Sequence, residues 1–189
     1  MIMRYDANAR DVNPGAFALF MGALLAGELL GALSITLSAG DILAGAVSSD
    51  VSEPVRSALL AFAGTSIYMG VIFLLGFFPI GQPLALGVML IRGMGEGAML
   101  TKAYALAGVG GAARTALTYL PQTLITSVAL SLGCVEAVTL SSCYLRHTLS
   151  DRQVLGMKGT VRLYVRRFAG LEALCAAASG AQLLIFLSF

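Results

Sequence analysis

The chain has 189 residues, of which 58% are hydrophobic and 12% charged, with a mean hydropathy of +0.86. A soluble domain is roughly 45–50% apolar and about 25% charged, so this composition excludes an ordinary soluble fold and indicates a membrane protein. The net charge of +2 gives no basis for nucleic-acid binding, and one histidine with three scattered cysteines lacks the spacing of a zinc site or a disulfide framework.

A helix needs about 20 predominantly apolar residues to cross a bilayer core, and five stretches meet that length. The first, 17–39, follows Arg4 and Arg10; it is longer than the ~7–15 residues of a cleavable signal core, so it reads as a retained signal-anchor. The second, 59–78, ends at Pro79, and the third, 83–106, follows after only PIGQ, which demands a tight hairpin with proline at each shoulder. The third stops at the turn-prone GVGG of Gly108 to Gly111. The fourth is 116–144 and contains Pro121; the fifth is 168–189. Cys134, Cys143 and Cys175 fall in or beside these runs and read as small buried hydrophobes. The expected fold is an all-α, polytopic membrane bundle of five transmembrane helices forming one integral membrane domain, 1–189, without an internal repeat.

Orientation follows from lysine and arginine in the short loops. The connection 146–167 carries Arg146, Arg152, Lys158, Arg162, Arg166 and Arg167 against Asp151 alone, and is expected to be cytoplasmic. Five crossings then place the amino terminus in the cytoplasm and the carboxyl terminus outside. The loop 40–57, with Asp41, Asp50 and Glu53 against Arg56, falls outside as well, while Arg114 in the other outer connection opposes the rule. Val154, Leu155, Val161 and Leu163 alternate with the basic residues, so this connection is expected to lie on the anionic inner leaflet, each cation contributing ~1 kcal/mol near the surface.

Ionisable residues inside the expected spans are Glu28, Arg92, Glu96, Lys102 and Glu136, with Glu172 near the start of the fifth. Each costs ~2.5–3.5 kcal/mol at a helix centre unless it faces the bundle interior and finds a partner. Arg92 and Glu96 are four apart, on one helix face. At about 1.5 Å per residue, Glu28, Arg92 and Glu136 all fall about 14–16 Å from the inner ends of their helices. The expectation is a polar cluster of Glu28, Arg92, Glu96 and Glu136 between the first, third and fourth spans, in which Glu96 and at least one of Glu28 and Glu136 compensate Arg92. Such a cluster either holds the bundle together or lines an ion or solute path. Lys102, nearer the outer end, can snorkel.

Gly27 and Gly31 form a GxxxG, and Gly93, Gly95 and Gly97 surround the charged pair. Gly27, Gly31, Gly93 and Gly97 are expected at close helix packing, and the first two also permit a homo-oligomer face. A locally unwound third helix bordering a cavity is the alternative. GMGEG lacks the spacing and setting of a phosphate loop. Pro121 should kink the fourth helix or begin it, with Gln122 and Thr123 reaching freed carbonyls or a neighbouring helix. Ser66 and Ser127 have no base nearby in sequence and His147 lies in the basic connection, so the reading is non-enzymatic, with no catalytic residue, metal or cofactor.

The order of IGQP (Ile80 to Pro83), Arg92–Gly93, Gly97 and LPQTL (Leu120 to Leu124) resembles the stage II sporulation protein M family of bacterial integral membrane proteins. The likeness runs from about Ala23 onward and is strongest from Ile80 to Leu124. It implies a non-enzymatic scaffold in the cell membrane that recruits single-span cell-wall hydrolases to the septum, where peptidoglycan is thinned for engulfment during endospore formation. On that resemblance Arg92 organises the bundle. The alternative from the residues themselves is a small permease, or permease subunit, using the Arg92 cluster.

Overall fold

A computed structural model of the chain describes residues 14–37, 54–149 and 157–188. These residues form four helices, α1 (Pro14–Leu37), α2 (Pro54–Leu75), α3 (Gly81–Leu149) and α4 (Met157–Ser188), with no strand among them. The basic amino-terminal residues Arg4 and Arg10, most of the acidic loop 40–57, and Asp151 and Arg152 lie outside the described residues.

α3 is two helices in succession, an outbound arm of residues 81–107 and a return arm of residues 109–149, separated at Gly108 with φ 64° and ψ −159°. A Cβ makes that conformation strained, so a glycine is required at the break. The GVGG expected to end one span therefore reverses the chain with a single non-helical residue, and helix resumes at once.

The arms of α3 run antiparallel: Gln82 Nε2 donates to Ser142 Oγ at 2.8 Å, and Ser141 Oγ donates to the Phe78 carbonyl at 2.7 Å. These bonds also clamp the short turn between α2 and α3. α1 crosses the outbound arm in parallel, Gly27 against Leu90 and Gly31 against Met94. α4 runs antiparallel to α2, since Tyr164 Oη donates to the Phe73 carbonyl at 2.9 Å and Ser66 Oγ, nearer the start of α2, donates to Glu172. Successive helical segments thus alternate in direction. The core between them joins Leu24 of α1, Ile72 of α2, Met89 and Leu130 of the two arms, and Phe168 of α4.

Three segments of the described residues are long and apolar enough to cross a membrane: Pro14–Leu37, Gly81–Ala105 and Tyr119–Cys143; Leu59–Leu75 is apolar but shorter. Their outer faces carry large exposed side chains, such as Leu29 (74% exposed), Ile67 (67%) and Leu124 (56%). Water penalises such a surface and lipid does not. The described residues are those of a helical membrane protein.

The connection 146–167 departs from its expected form. α4 begins at Met157, so residues 157–167 are its first turns, and within them Tyr164 and Arg167 reach α2 and the return arm of α3. The cause is aromatic packing: Tyr164 and Phe168, one turn apart, are buried against Phe73, with ring centroids 5.2 Å away in both cases.

Candidate functional site

Glycine determines how closely α1 and the outbound arm of α3 approach. A Cβ on Gly27 would collide with the carbonyl oxygen of Leu90, on Gly31 with that of Met94, on Gly93 with that of Leu24 and on Gly97 with that of Glu28. The four glycines are reciprocal, two from each helix, and each opens the other backbone to contact. Such an approach permits Cα–H···O contacts as well as dispersion between the two backbones. Gly95, between the second pair, has nothing in its path. Both helices keep helical dihedrals through this crossing, and the third span is not unwound around GMGEG.

The crossing brings Glu28 beside the charged pair. Arg92 Nη2 lies 2.7 Å from Glu96 Oε1, with side chains 20% and 14% exposed. Glu28 is close enough to Glu96 for their negative charges to interact. On its other side Arg92 faces the Tyr68 ring of α2, with Cζ 5.6 Å from the ring centroid, within cation–π range. The Arg92 Nε is buried without an acceptor. Ser66, two residues from Tyr68 on α2, donates to Glu172 of α4.

Glu136 is not in this cluster. It accepts a hydrogen bond from Arg167 Nη1 at 2.5 Å, an ion pair between the return arm and α4. Equal depth along two helices does not make two side chains neighbours, because the face also has to match. Glu136 points to α4, and the aromatic packing that draws residues 157–167 into the bundle supplies its cation. The expected group of four is therefore divided: Arg92 pairs with Glu96 alone, Glu28 lies near Glu96 without pairing to the guanidinium, and Glu136 pairs elsewhere.

Pro121 does not interrupt the return arm. It is exposed and the helix continues through it, leaving Gly108 as the only non-helical residue inside α3. Gln122 is buried and donates from Nε2 to Ser179 Oγ of α4 at 2.9 Å, so it ties two helices together. Thr126 Oγ1 satisfies the Gln122 carbonyl at 3.0 Å. Three residues from Ser179, Gln182 is also buried, and both of its amide heavy atoms lack a hydrogen-bond partner among the described residues.

A cleft of about 470 Å³ opens between α1, the outer part of the outbound arm and the first half of the return arm. Its walls are mostly leucine and methionine, including Met21, Leu25, Met99 and Leu124, with Thr101 and Thr123 among them, and both Glu28 and Glu96 border it with Tyr119 and Ser127. Among the described residues no group of three or more histidine, cysteine or acidic side chains is placed to hold a metal ion. Sequence reasoning missed Tyr68 and Tyr119, read Arg167 only as a topology charge and weighed Ser127 only as a nucleophile. Arg167 left a signal, since it immediately precedes the expected fifth span, 168–189. No family model, curated protein or solved structure matches the chain.

Proposed function

We propose that the chain is a five-crossing membrane scaffold, amino terminus cytoplasmic and carboxyl terminus outside, that presents helix faces to single-span peptidoglycan hydrolases during engulfment. The observation that carries this reading is where the residues of the family resemblance fall. Gly81 of IGQP packs on the Leu75 carbonyl in the α2–α3 turn, Gly93 and Gly97 meet the α1 backbone, and Gln122 of LPQTL bonds to α4. All are junctions between helices. A sequence pattern concentrated at junctions serves a shape, and a shape that holds helix faces in register is what a recruiting scaffold needs.

Five alternating segments suit the proposed topology, the shorter Leu59–Leu75 being completed by its hairpin turn and α4 by its apolar outer half. Labelling of single cysteines placed in the 38–53 loop and near residue 152 tests the topology: the first should react from outside and the second only after permeabilisation. Affinity purification of the tagged chain from sporulating cells tests the role. Recovery of wall hydrolases with single-span anchors is the expected result, and normal engulfment after deletion of the gene would remove the assignment.

A further inference from the structure

We propose that the cleft between α1 and the two arms of α3 is a binding site for an organic cation with an apolar body, an alkylammonium. This rests on the charge and shape of the cleft and stands apart from the scaffold reading.

Charge is the first argument. Two carboxylates border the cleft, Glu28 and Glu96, and the guanidinium beside them, Arg92, is committed to Glu96 at 2.7 Å. Among the described residues Glu28 makes neither a hydrogen bond nor an ion pair. A carboxylate among leucines is costly unless a cation or a donor reaches it, and the cleft is the route by which one can.

The opposite wall supplies the second argument. Ser127 of the return arm is 5% exposed and borders the same cleft, yet its hydroxyl makes no hydrogen bond among the described residues. A serine in a helix usually returns its hydroxyl to the carbonyl three or four residues back, as Thr126 does to Gln122 and Thr123. Ser127 makes no such return, so its hydroxyl, which can accept as well as donate, is left for whatever occupies the cleft. The hydroxyls that border the cleft can donate or accept, whereas the two carboxylates only accept, so it is the carboxylates that select a cation.

The hydrocarbon walls define the rest of the ligand. A hard metal ion takes about six or more oxygen ligands, and Met21, Leu25, Met99 and Leu124 provide none. They suit the hydrocarbon part of an amine, and about 470 Å³ lies within the range of small-molecule sites, roughly 300–1,000 Å³. The ammonium could belong to a free amine or to the head group of an aminophospholipid; the chemistry at Glu28 is the same.

The experiment is calorimetric titration of hexylammonium into the full chain in phosphatidylcholine nanodiscs, with empty nanodiscs subtracted. Saturable binding is expected, at least about ten-fold tighter than for hexanol or hexanoate, a ratio typical of one desolvated charge interaction. Glu28→Gln should weaken hexylammonium binding by about ten-fold or more, with an unfolding temperature near that of the wild type. Ser127→Leu, which fills the cleft from the far wall and leaves both carboxylates, should weaken it as well. Equal binding of hexanol and hexylammonium would overturn the proposal, as would wild-type binding by a folded Glu28→Gln. If Glu28→Gln does not fold, undiminished binding by Ser127→Leu overturns it instead. Repeating the titration in phosphatidylethanolamine nanodiscs distinguishes the sources: a weakened apparent affinity assigns the lipid head group as the occupant, and an unchanged one assigns the free amine.

Discussion

Arg92 and Glu96, one turn apart on the outbound arm of α3, form an ion pair of 2.7 Å whose guanidinium also faces the Tyr68 ring across the helix interface. The pair lies next to a close backbone crossing, where Gly93 and Gly97 alternate with it along the sequence. One helix thus uses adjacent positions for two purposes: glycines bring α1 in, and the charges between them face α2 and the cleft.

Removing one partner of this pair should cost more than removing both. Arg92→Met strands Glu96, and about 3 kcal/mol of destabilisation is expected, the low end for a pair broken from one side because both side chains keep some exposure. Arg92→Met with Glu96→Met should recover most of that loss. Chemical unfolding in detergent reads both, and a double variant no more stable than the single would rule out charge compensation as the reason for the pair.

At the crossing, Gly97→Val should destabilise by about 2–3 kcal/mol, the upper part of the overpacking range, because the atom met is the Glu28 carbonyl oxygen and a backbone cannot rotate away. Gly95→Ala two residues earlier meets nothing and should be neutral or stabilising by up to about 1 kcal/mol through helix propensity. Thermal unfolding of the two variants side by side is decisive: equal losses would contradict the close approach of α1.

The ion pair between Glu136 and Arg167 joins the return arm to α4 with side chains 24% and 32% exposed. A double-mutant cycle with Glu136→Gln and Arg167→Gln should give a coupling of about 0.5–1 kcal/mol, modest because of that exposure. The same cycle between Glu136 and Arg92 should give none within about 0.3–0.5 kcal/mol, the ordinary error of additivity. A sizeable Glu136–Arg92 coupling would restore the single four-residue cluster that the structure divides.

Gly108→Ala probes the reversal of α3. With φ at 64° and ψ at −159°, an alanine should cost about 1–3 kcal/mol, whereas Gly110→Ala, in helix with open space around it, should cost nothing. Unfolding midpoints that fall equally for both would show that the arms do not part at Gly108.

Much of the architecture could be read from the residues in order. Hydropathy alone separates membrane helices from connections, since a bilayer accepts only long apolar stretches with their backbone bonds satisfied internally, and i,i+4 spacing is enough to pair Arg92 with Glu96. The small-residue pattern at Gly27, Gly31, Gly93 and Gly97 marks where backbones can meet, without naming which backbone each one meets. That assignment, together with the pairing of Glu136 with Arg167 and the opposition of Glu28 and Ser127 across one cleft, belongs to the tertiary structure. Depth along a helix is linear in sequence, but the direction a side chain faces relative to a neighbouring helix depends on crossing angle and rotation. Those are settled only when Tyr164 and Phe168 draw α4 onto Phe73, and when four glycines draw α1 onto α3.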